Sequence, residues 1–555
     1  MGADETAAAG ITQIEAEDPV KPAQTKSTKK HLMLRLPRSS LCGYLLLILL
    51  QFSSPRSTTS TTSNPPHHSC TTPCPLLLAA ASNNLHALKK HLFQGVSLYQ
   101  HDDHDTTALY YAAANNHIDI VQFILKEIKH IQNDGTTTDA ALQYSSEYIN
   151  AAPTTTGATP LYISIQEGHH AVFLLLLEHN ADPTLPTTSG VAPIHAASYS
   201  GMEGYLKPLL LSSQAVRKSI NKASPSTGHT ALHMAALQGS HSNVQVLLTY
   251  DGGFTDCNVL GAINGATPLW YACSKGHTKV VRALLETCVG IDIDTPDSQQ
   301  WTPFMTAAHL GYIDILQLLM DHKVLAIHKQ ELINAKSDYQ TALLIAVHAQ
   351  QFETVQYLLA QTGIAVNDRV QGGWNALMVA CEVGSTEMVQ ALLHANADVR
   401  FRQTNGWSAL HQASLGGRHD IVKLLLKKMT TSFINLEGND HQSALSLAVW
   451  HNHPTVVKVL SRDGRIEMDK VIEHHSGRTA FHVAVVLGHY EIVEILSKNK
   501  HVGIQKLTID KQTPLDLSRT YNRPKIENLM AKLIQIVEQK KNGKSYTQQQ
   551  RHEGL

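Results

Sequence analysis

Charge is scarce and evenly matched: 45 Lys and Arg face 46 Asp and Glu in 555 residues, a formal net charge of -1. Nucleic-acid affinity rests on neutralising phosphates, so a chain this balanced, with no long basic run in its centre, is a poor candidate for general DNA or RNA binding, and no nucleic-acid partner is expected. Aromatic residues are few, at 6%, and cysteines number seven, at 42, 70, 74, 257, 273, 288 and 381, with no dense framework. That scatter argues against a disulfide-stapled secreted fold and for a reducing compartment. No Asn-x-Ser/Thr acceptor occurs, which points the same way. Phosphate-loop, dinucleotide-glycine, H-E-x-x-H and G-x-S-x-G patterns are also missing, and the unpatterned ends are too short for an added catalytic domain. No enzyme, cofactor or metal is expected.

Long apolar runs are nearly absent too. The exception is Leu41 to Phe52, LCGYLLLILLQF, preceded by Lys29, Lys30, Arg35 and Arg38. It falls short of the roughly 20 residues that span a bilayer. Read from Met33, residues 33–54 would instead resemble a secretory signal. The expectation is a cytoplasmic chain, with membrane tethering or targeting through this segment as the alternative. Residues 1–70, whose stretch SSPRSTTSTTSNPPHHS is Ser/Thr/Pro-rich, are expected to be disordered.

What the sequence does contain is one unit repeated many times, as in TPLWYACSKGHTKVVRALL from Thr267 and TPFMTAAHLGYIDILQLLM from Thr302. Anchors fall at Cys74, Thr107, Thr159, Ala192, Thr230, Thr267, Thr302, Thr341, Asn375, Ser408, Ser443, Thr479 and Thr513. Most anchors can cap a helix with a side-chain oxygen, and Pro160, Pro193, Pro268, Pro303 and Pro514 then take the first helical position, where a missing N–H costs nothing. Nine residues after the anchor stand eight glycines, from Gly168 to Gly488, and Asn83, Asn116, Asn452 and Asn522. These are the residues that enter a left-handed helix stop most cheaply; only Gln350 departs.

A second helix is expected after each stop, with an apolar stripe such as Val280, Val281, Leu284 and Leu285 on one face. Small residues such as Ala235 and Ala236 let first helices pack closely. A unit of this size cannot cover its own apolar face, so the units must stack.

The segments TALHMAALQGS, APIHAASYSG and SALHQASLGGRHDIVKLLL, with turns such as HNADP, resemble ankyrin repeats over roughly residues 74–535. The resemblance implies an all-α ankyrin-type helical repeat solenoid, helix pairs joined by hairpin loops, occupying residues 71–535 as a monomeric array. It implies a concave surface that binds a partner protein. Residues 536–555 read as a polar tail. The 52-residue spacing after Thr107 leaves an insert around 131–150, expected as a loop or short helix.

His195, His233, His411 and His482 occupy the fourth position of the TPLH-like segment, where the resemblance implies a structural tie to the adjoining turn. His67, His68, Cys70 and Cys74 offer metal-binding atoms but lack the second half of a zinc site. Cys273 and Cys381 read as core thiols. Trp301, Trp374 and Trp407 precede their anchors, at the hairpin tip, and Trp450 lies seven residues after its anchor beside His451. In ankyrin-like repeats both slots face partners, and tryptophan is favoured at binding hot spots. The leading expectation is therefore a non-enzymatic scaffold or adaptor that binds a protein through these five residues. Membrane tethering through 41–52 and the substrate-receptor arm of a ubiquitin ligase are the alternatives.

Overall fold

A computed structural model describes residues 74–133, 147–202, 204–250, 255–322, 329–337, 340–473 and 476–552. Every described residue lies within the compact unit His68–Leu555. The expected disordered region at 1–70, the apolar segment 41–52, the signal-like stretch 33–54 and the centre of the insert lie outside the described residues.

Helices start in phase with the anchors. Pro75–Ala81, Ala108–Ala114, Pro160–Gln166, Ala231–Gln238, Pro268–Lys275 and Pro303–Leu310 each begin one residue after one. The cause is visible at the caps: Thr107, Thr159, Thr267, Thr302, Thr341 and Asn375 each accept the amide three residues on, at 3.0–3.3 Å. Such a cap stabilises a helix by about 1 kcal/mol.

All thirteen stop positions are left-handed, with φ of 66–88° at the glycines and 50–59° at the four asparagines. Gln350, the one residue that departs from the pattern, adopts φ 60° as well. The neighbouring units therefore impose the stop, and Gln350 bears its cost. Replacing Gln350 with Gly is expected to stabilise the array by about 1 kcal/mol. An unchanged or lowered melting temperature would refute that account.

Second helices mostly begin eleven residues after the anchor, as in Thr278–Thr287, Ile313–Asp321, Thr386–His394 and His419–Lys428. Their stripes are buried: Val280, Val281 and Leu284 are inaccessible, as are Val422 and Leu425. Burying each such side chain contributes about 2 kcal/mol. Each first helix packs on its own second helix and on the first helices before and after it. Ala112, Ala113, Ala235, Ala236, Ala307 and Ala308 are fully buried in that row.

Polar ties complete the stacking. In seven units the residue after the stop reaches back to a helix-end carbonyl of the preceding unit: His117 donates to Ala81 O at 2.9 Å, His169 to Ala114 O at 2.9 Å, His277 to Leu237 O at 3.1 Å and His453 to Leu415 O at 2.8 Å. Arg418, Arg523 and Gln351 do the same for Val383, Val486 and His309. Each tie satisfies a carbonyl that a helix terminus leaves orphaned.

A ladder of asparagines links the turns. Asn150, Asn221, Asn258, Asn334, Asn367 and Asn435 each accept the amide of Asp182, Asp256, Asp292, Ala365, Asp398 or Glu467 at 2.8–3.0 Å. The described strands are short, Val471–Glu473 pairing with Arg478–Thr479. Hairpins elsewhere close through single bridges such as Arg402 with Ser408.

Four findings depart from the sequence reading. Cys257 and Cys288 form a disulfide between neighbouring units, which the scattered spacing gave no reason to expect. The unit anchored at Ala192 has no capping hydroxyl, and its second helix starts late, at Leu206. The insert after Thr107 prolongs the second helix to Asn133. Finally, the polar tail is helical through residue 552: one helix runs Pro524–His552. Its first turns rest on the last unit, with Ile526 and Met530 buried and Arg519 paired to Glu527 at 2.9 Å, so helix already nucleated there continues into polar sequence.

Candidate partner-binding surface

The four TPLH-type histidines hold adjacent units together. In His233, His411 and His482, Nδ1 accepts from the anchor's backbone amide at 3.2 Å and lies 2.8–2.9 Å from its hydroxyl. His195 takes the Ala192 amide alone, because that anchor has no hydroxyl. With Nδ1 accepting, Nε2 carries the proton and donates onward to Lys222 O, Ala266 O, Gln442 O and Lys506 O at 2.9–3.2 Å. Both ring nitrogens are therefore engaged in the fold. Burial, first among its causes, lowers the pKa of each, to about 3 for His233 and about 4 for His411.

Trp270 fills the same slot, a role the TPLW segment hid. Its Nε1 donates to Trp301 O at 3.1 Å, the carbonyl equivalent to the one His233 reaches. Trp270→Phe is expected to cost about 1 kcal/mol by removing one cross-unit hydrogen bond while keeping an aromatic ring. A chemical-denaturation midpoint indistinguishable from wild type would remove it from the set of ties.

The tip tryptophans are half-buried. Trp301 sets its ring edge-on to His309, with centroids 5.4 Å apart. Trp407 lies parallel to His411 at 6.3 Å and donates through Nε1 to Asp440 Oδ1 of the next tip at 3.2 Å. Trp374 occupies the tip immediately before that of Trp407, while Gln340 interrupts the row between Trp301 and Trp374. The structure thus places the three along one row without bringing their rings into mutual contact.

Seven residues after the anchor runs a second row, at the ends of the first helices: His309, His348, Glu382, Leu415 and Trp450. Sequence reading found only Trp450 in it. Trp450 Nε1 is buried with no partner, as are Nδ1 of His309 and His348. Burial lowers the pKa of His348 and, together with the nearby His348 ring, that of His309; burial raises that of Glu382. All three are biased toward their uncharged forms, so a partner covering the row meets groups already largely stripped of water. His451 is exposed, its ring parallel to His453 at 6.4 Å. Partial burial, then His453, lowers its pKa.

Cys74, the one member of the His67, His68, Cys70 and Cys74 group within the described residues, is buried and donates its thiol to Gln100 Oε1 at 3.0 Å. Cys273 and Cys381 are fully buried free thiols, their pKa raised by burial. Among the described residues no group of three potential ligands could hold a metal, and no helix is long and apolar enough to cross a membrane. A cavity of about 450 Å³ lies beside Asn396, Asp398, Arg400 and Lys428. Its Arg400 is already held by Asp398 at 2.8 Å.

Helix pairs capped, stopped and tied only to their neighbours define a helical repeat solenoid. The chain belongs to the ankyrin-repeat family: the family model described as ankyrin repeats in three copies matches residues 49–139, 76–187, 232–331, 323–403 and 377–471, and the single ankyrin-repeat model matches 476–506. The gap at 188–231 covers the unit anchored at Ala192, whose cap and second helix depart from the rest. Repeats of this family bind proteins.

Three curated relatives show how widely the unit is used. The Caenorhabditis elegans "Ankyrin repeat and KH domain-containing protein mask-1" is 26% identical over 324 residues, 58% of this chain and 11% of that protein. The human "Transient receptor potential cation channel subfamily A member 1" is 23% identical over 498 residues, 71% of this chain and 42% of the channel. The rice "Probable E3 ubiquitin-protein ligase XBOS32" is 34% identical over 170 residues, 30% of this chain and 32% of the ligase. In each case this chain spans less than half of the relative's length.

Proposed function

We propose that this chain is a non-enzymatic scaffold that holds a partner protein on the tips and first-helix ends of the units anchored from Thr302 to Ser443. The observation that carries the reading is the side-by-side course of two rows: Trp301, Trp374 and Trp407 at the tips, and His309, His348, Glu382 and Trp450 at the helix ends. Large rings provide contact area at low entropic cost. A photo-crosslinking residue at exposed His451, beside Trp450, should trap the partner. The same group at fully exposed Val289, at the end of a second helix, should not. Equal trapping at both positions would sink the assignment.

A cytoplasmic location belongs to the same proposal. Fractionation of the full-length chain beside one starting at Ser69 tests it, since a membrane-bound fraction lost with the first 68 residues would favour tethering through 41–52.

A further inference from the structure

We propose that Cys257 and Cys288 form a reversible thiol–disulfide clamp that sets how firmly the units anchored at Thr230 and Thr267 adhere. The bond joins the turn of one unit to the second-helix end of the next, with the two Cα atoms 6.4 Å apart. Cys257 occupies a slot that other units fill with hydrocarbon. The residue before each ladder asparagine is Ile149, Ile220, Ile333, Val366 or Ile434, and four of these are at most 4% exposed. Cys257 takes this slot before Asn258. Cys288 caps its second helix where Met429, buried, caps another. Other second helices end in residues as varied as His179, Ala395 and Asp463, so it is the pairing with Cys257 that sets Cys288 apart.

That coincidence gives the interface two states. With the bond formed, a covalent tie replaces the hydrocarbon contact. With it reduced, a thiol stands where its neighbours have an isoleucine, and a smaller side chain in a fixed slot leaves packing unmade. Reduction therefore weakens this interface below the others. In an array stabilised only by nearest-neighbour contacts, one weak interface lets the two flanking blocks open separately.

Asn258 makes the change reversible. Its Nδ2 donates to Gly290 O at 2.9 Å and its Oδ1 accepts from Asp292 N at 2.9 Å, so the same two turns stay together when the sulfurs part. Cys288 is half-buried beside fully exposed Val289, whereas Cys257, Cys273 and Cys381 are buried. Oxidation accordingly starts at Cys288. Its thiolate attacks a small-molecule disulfide and expels one thiolate; the Cys257 thiolate then attacks the Cys288 sulfur and expels the second. The incoming disulfide becomes two thiols, and the two cysteine protons pass to solvent or to the leaving thiolates. A dithiol reverses both steps.

The test uses the full-length chain incubated with oxidised glutathione or with dithiothreitol. Non-reducing peptide mapping should find Cys257 linked to Cys288 only in the first sample. Native-state hydrogen exchange in 255–258 and 288–292 should run roughly tenfold faster in the second, while 340–470 stays unchanged. The double variant Cys257→Ile, Cys288→Met, which copies Ile220 and Met429, should fold and exchange identically in both. Absence of the linked peptide, a bond that dithiothreitol cannot open without denaturant, or exchange in 255–258 and 288–292 that ignores reduction would each overturn the clamp. So would a dithiothreitol response that survives in the double variant.

Discussion

Replacing Trp301, Trp374 and Trp407 together with alanine is expected to weaken partner capture roughly a thousandfold while the far-ultraviolet helical signal stays unchanged. Truncating a tryptophan at an interface centre commonly costs 2 kcal/mol or more, and such losses do not add fully, so about 4 kcal/mol for the three is a reasonable sum. The stability cost should be smaller. The rings are half-buried rather than enclosed, though Trp407 forfeits its hydrogen bond to Asp440 and its stacking on His411. A fall of a few degrees in melting temperature is expected, with cooperativity kept. Affinity purification from the native cell, wild type beside the triple variant, measures the first effect, and Trp270→Phe controls for a tryptophan that ties units together instead of facing out. Undiminished capture by the folded triple variant would remove these tips from the binding surface.

The anchors were legible because the chemistry there admits few residues. A helix start wants a short side chain with an oxygen, a left-handed stop wants glycine or asparagine, and a stacked unit wants alanines on one side and paired aliphatics on the other. Gln350 shows how far this reading reaches. Residue type alone marks it as an exception, yet its backbone follows its neighbours because both adjacent units constrain it. The histidine ties were legible as residues but not as partners. That His195 ends on Lys222, whereas His233 ends on Ala266 immediately before the next anchor, depends on how each turn accommodates its extra residues.

Other features left no local trace. Two cysteines 31 residues apart become partners only when consecutive units bring a turn and a helix end together. His309, His348 and Glu382 share a slot with Trp450, but three residue types in one slot form no pattern until the slot is known to line a surface. The helix through His552 lacks a stripe over its last turns, so periodicity gave no reason to extend it.

His229 is the case with the largest energetic consequence. It fills a tip slot that holds tryptophan in three other units, yet it is 1% exposed. Its ring stacks on His233 at 5.4 Å, and its Nε2 donates to the Tyr271 hydroxyl at 2.8 Å, which in turn donates to Asn264 Oδ1. Its Nδ1 has no partner. Burial, then the charge of His195, lowers its pKa to about 4, and burial, then His229 itself, lowers that of His233 to about 3. In the unfolded chain both titrate near 6.5.

Between those limits the unfolded state binds more protons than the folded one, so stability rises with pH. The contribution is complete above about pH 6.5. It shrinks by about 1.4 kcal/mol per pH unit for each histidine as pH falls toward about 4. With the pKa of His411 lowered by burial as well, the array should lose stability progressively as pH falls from about 6.5 toward 4. Glu382 and Asp297, both raised by burial, oppose this trend. Asp102, Asp398, Asp463 and Asp516 are lowered, chiefly by hydrogen bonds to the carboxylate that outweigh burial at Asp102, and their contribution is lost only as pH falls further. His229→Ala places in this slot the residue that Ala158 and Ala266 already supply elsewhere. It should flatten the slope of stability between pH 6.5 and 4.5 by one proton's worth. Denaturation midpoints measured across that range would reject the assignment if wild type and variant run parallel.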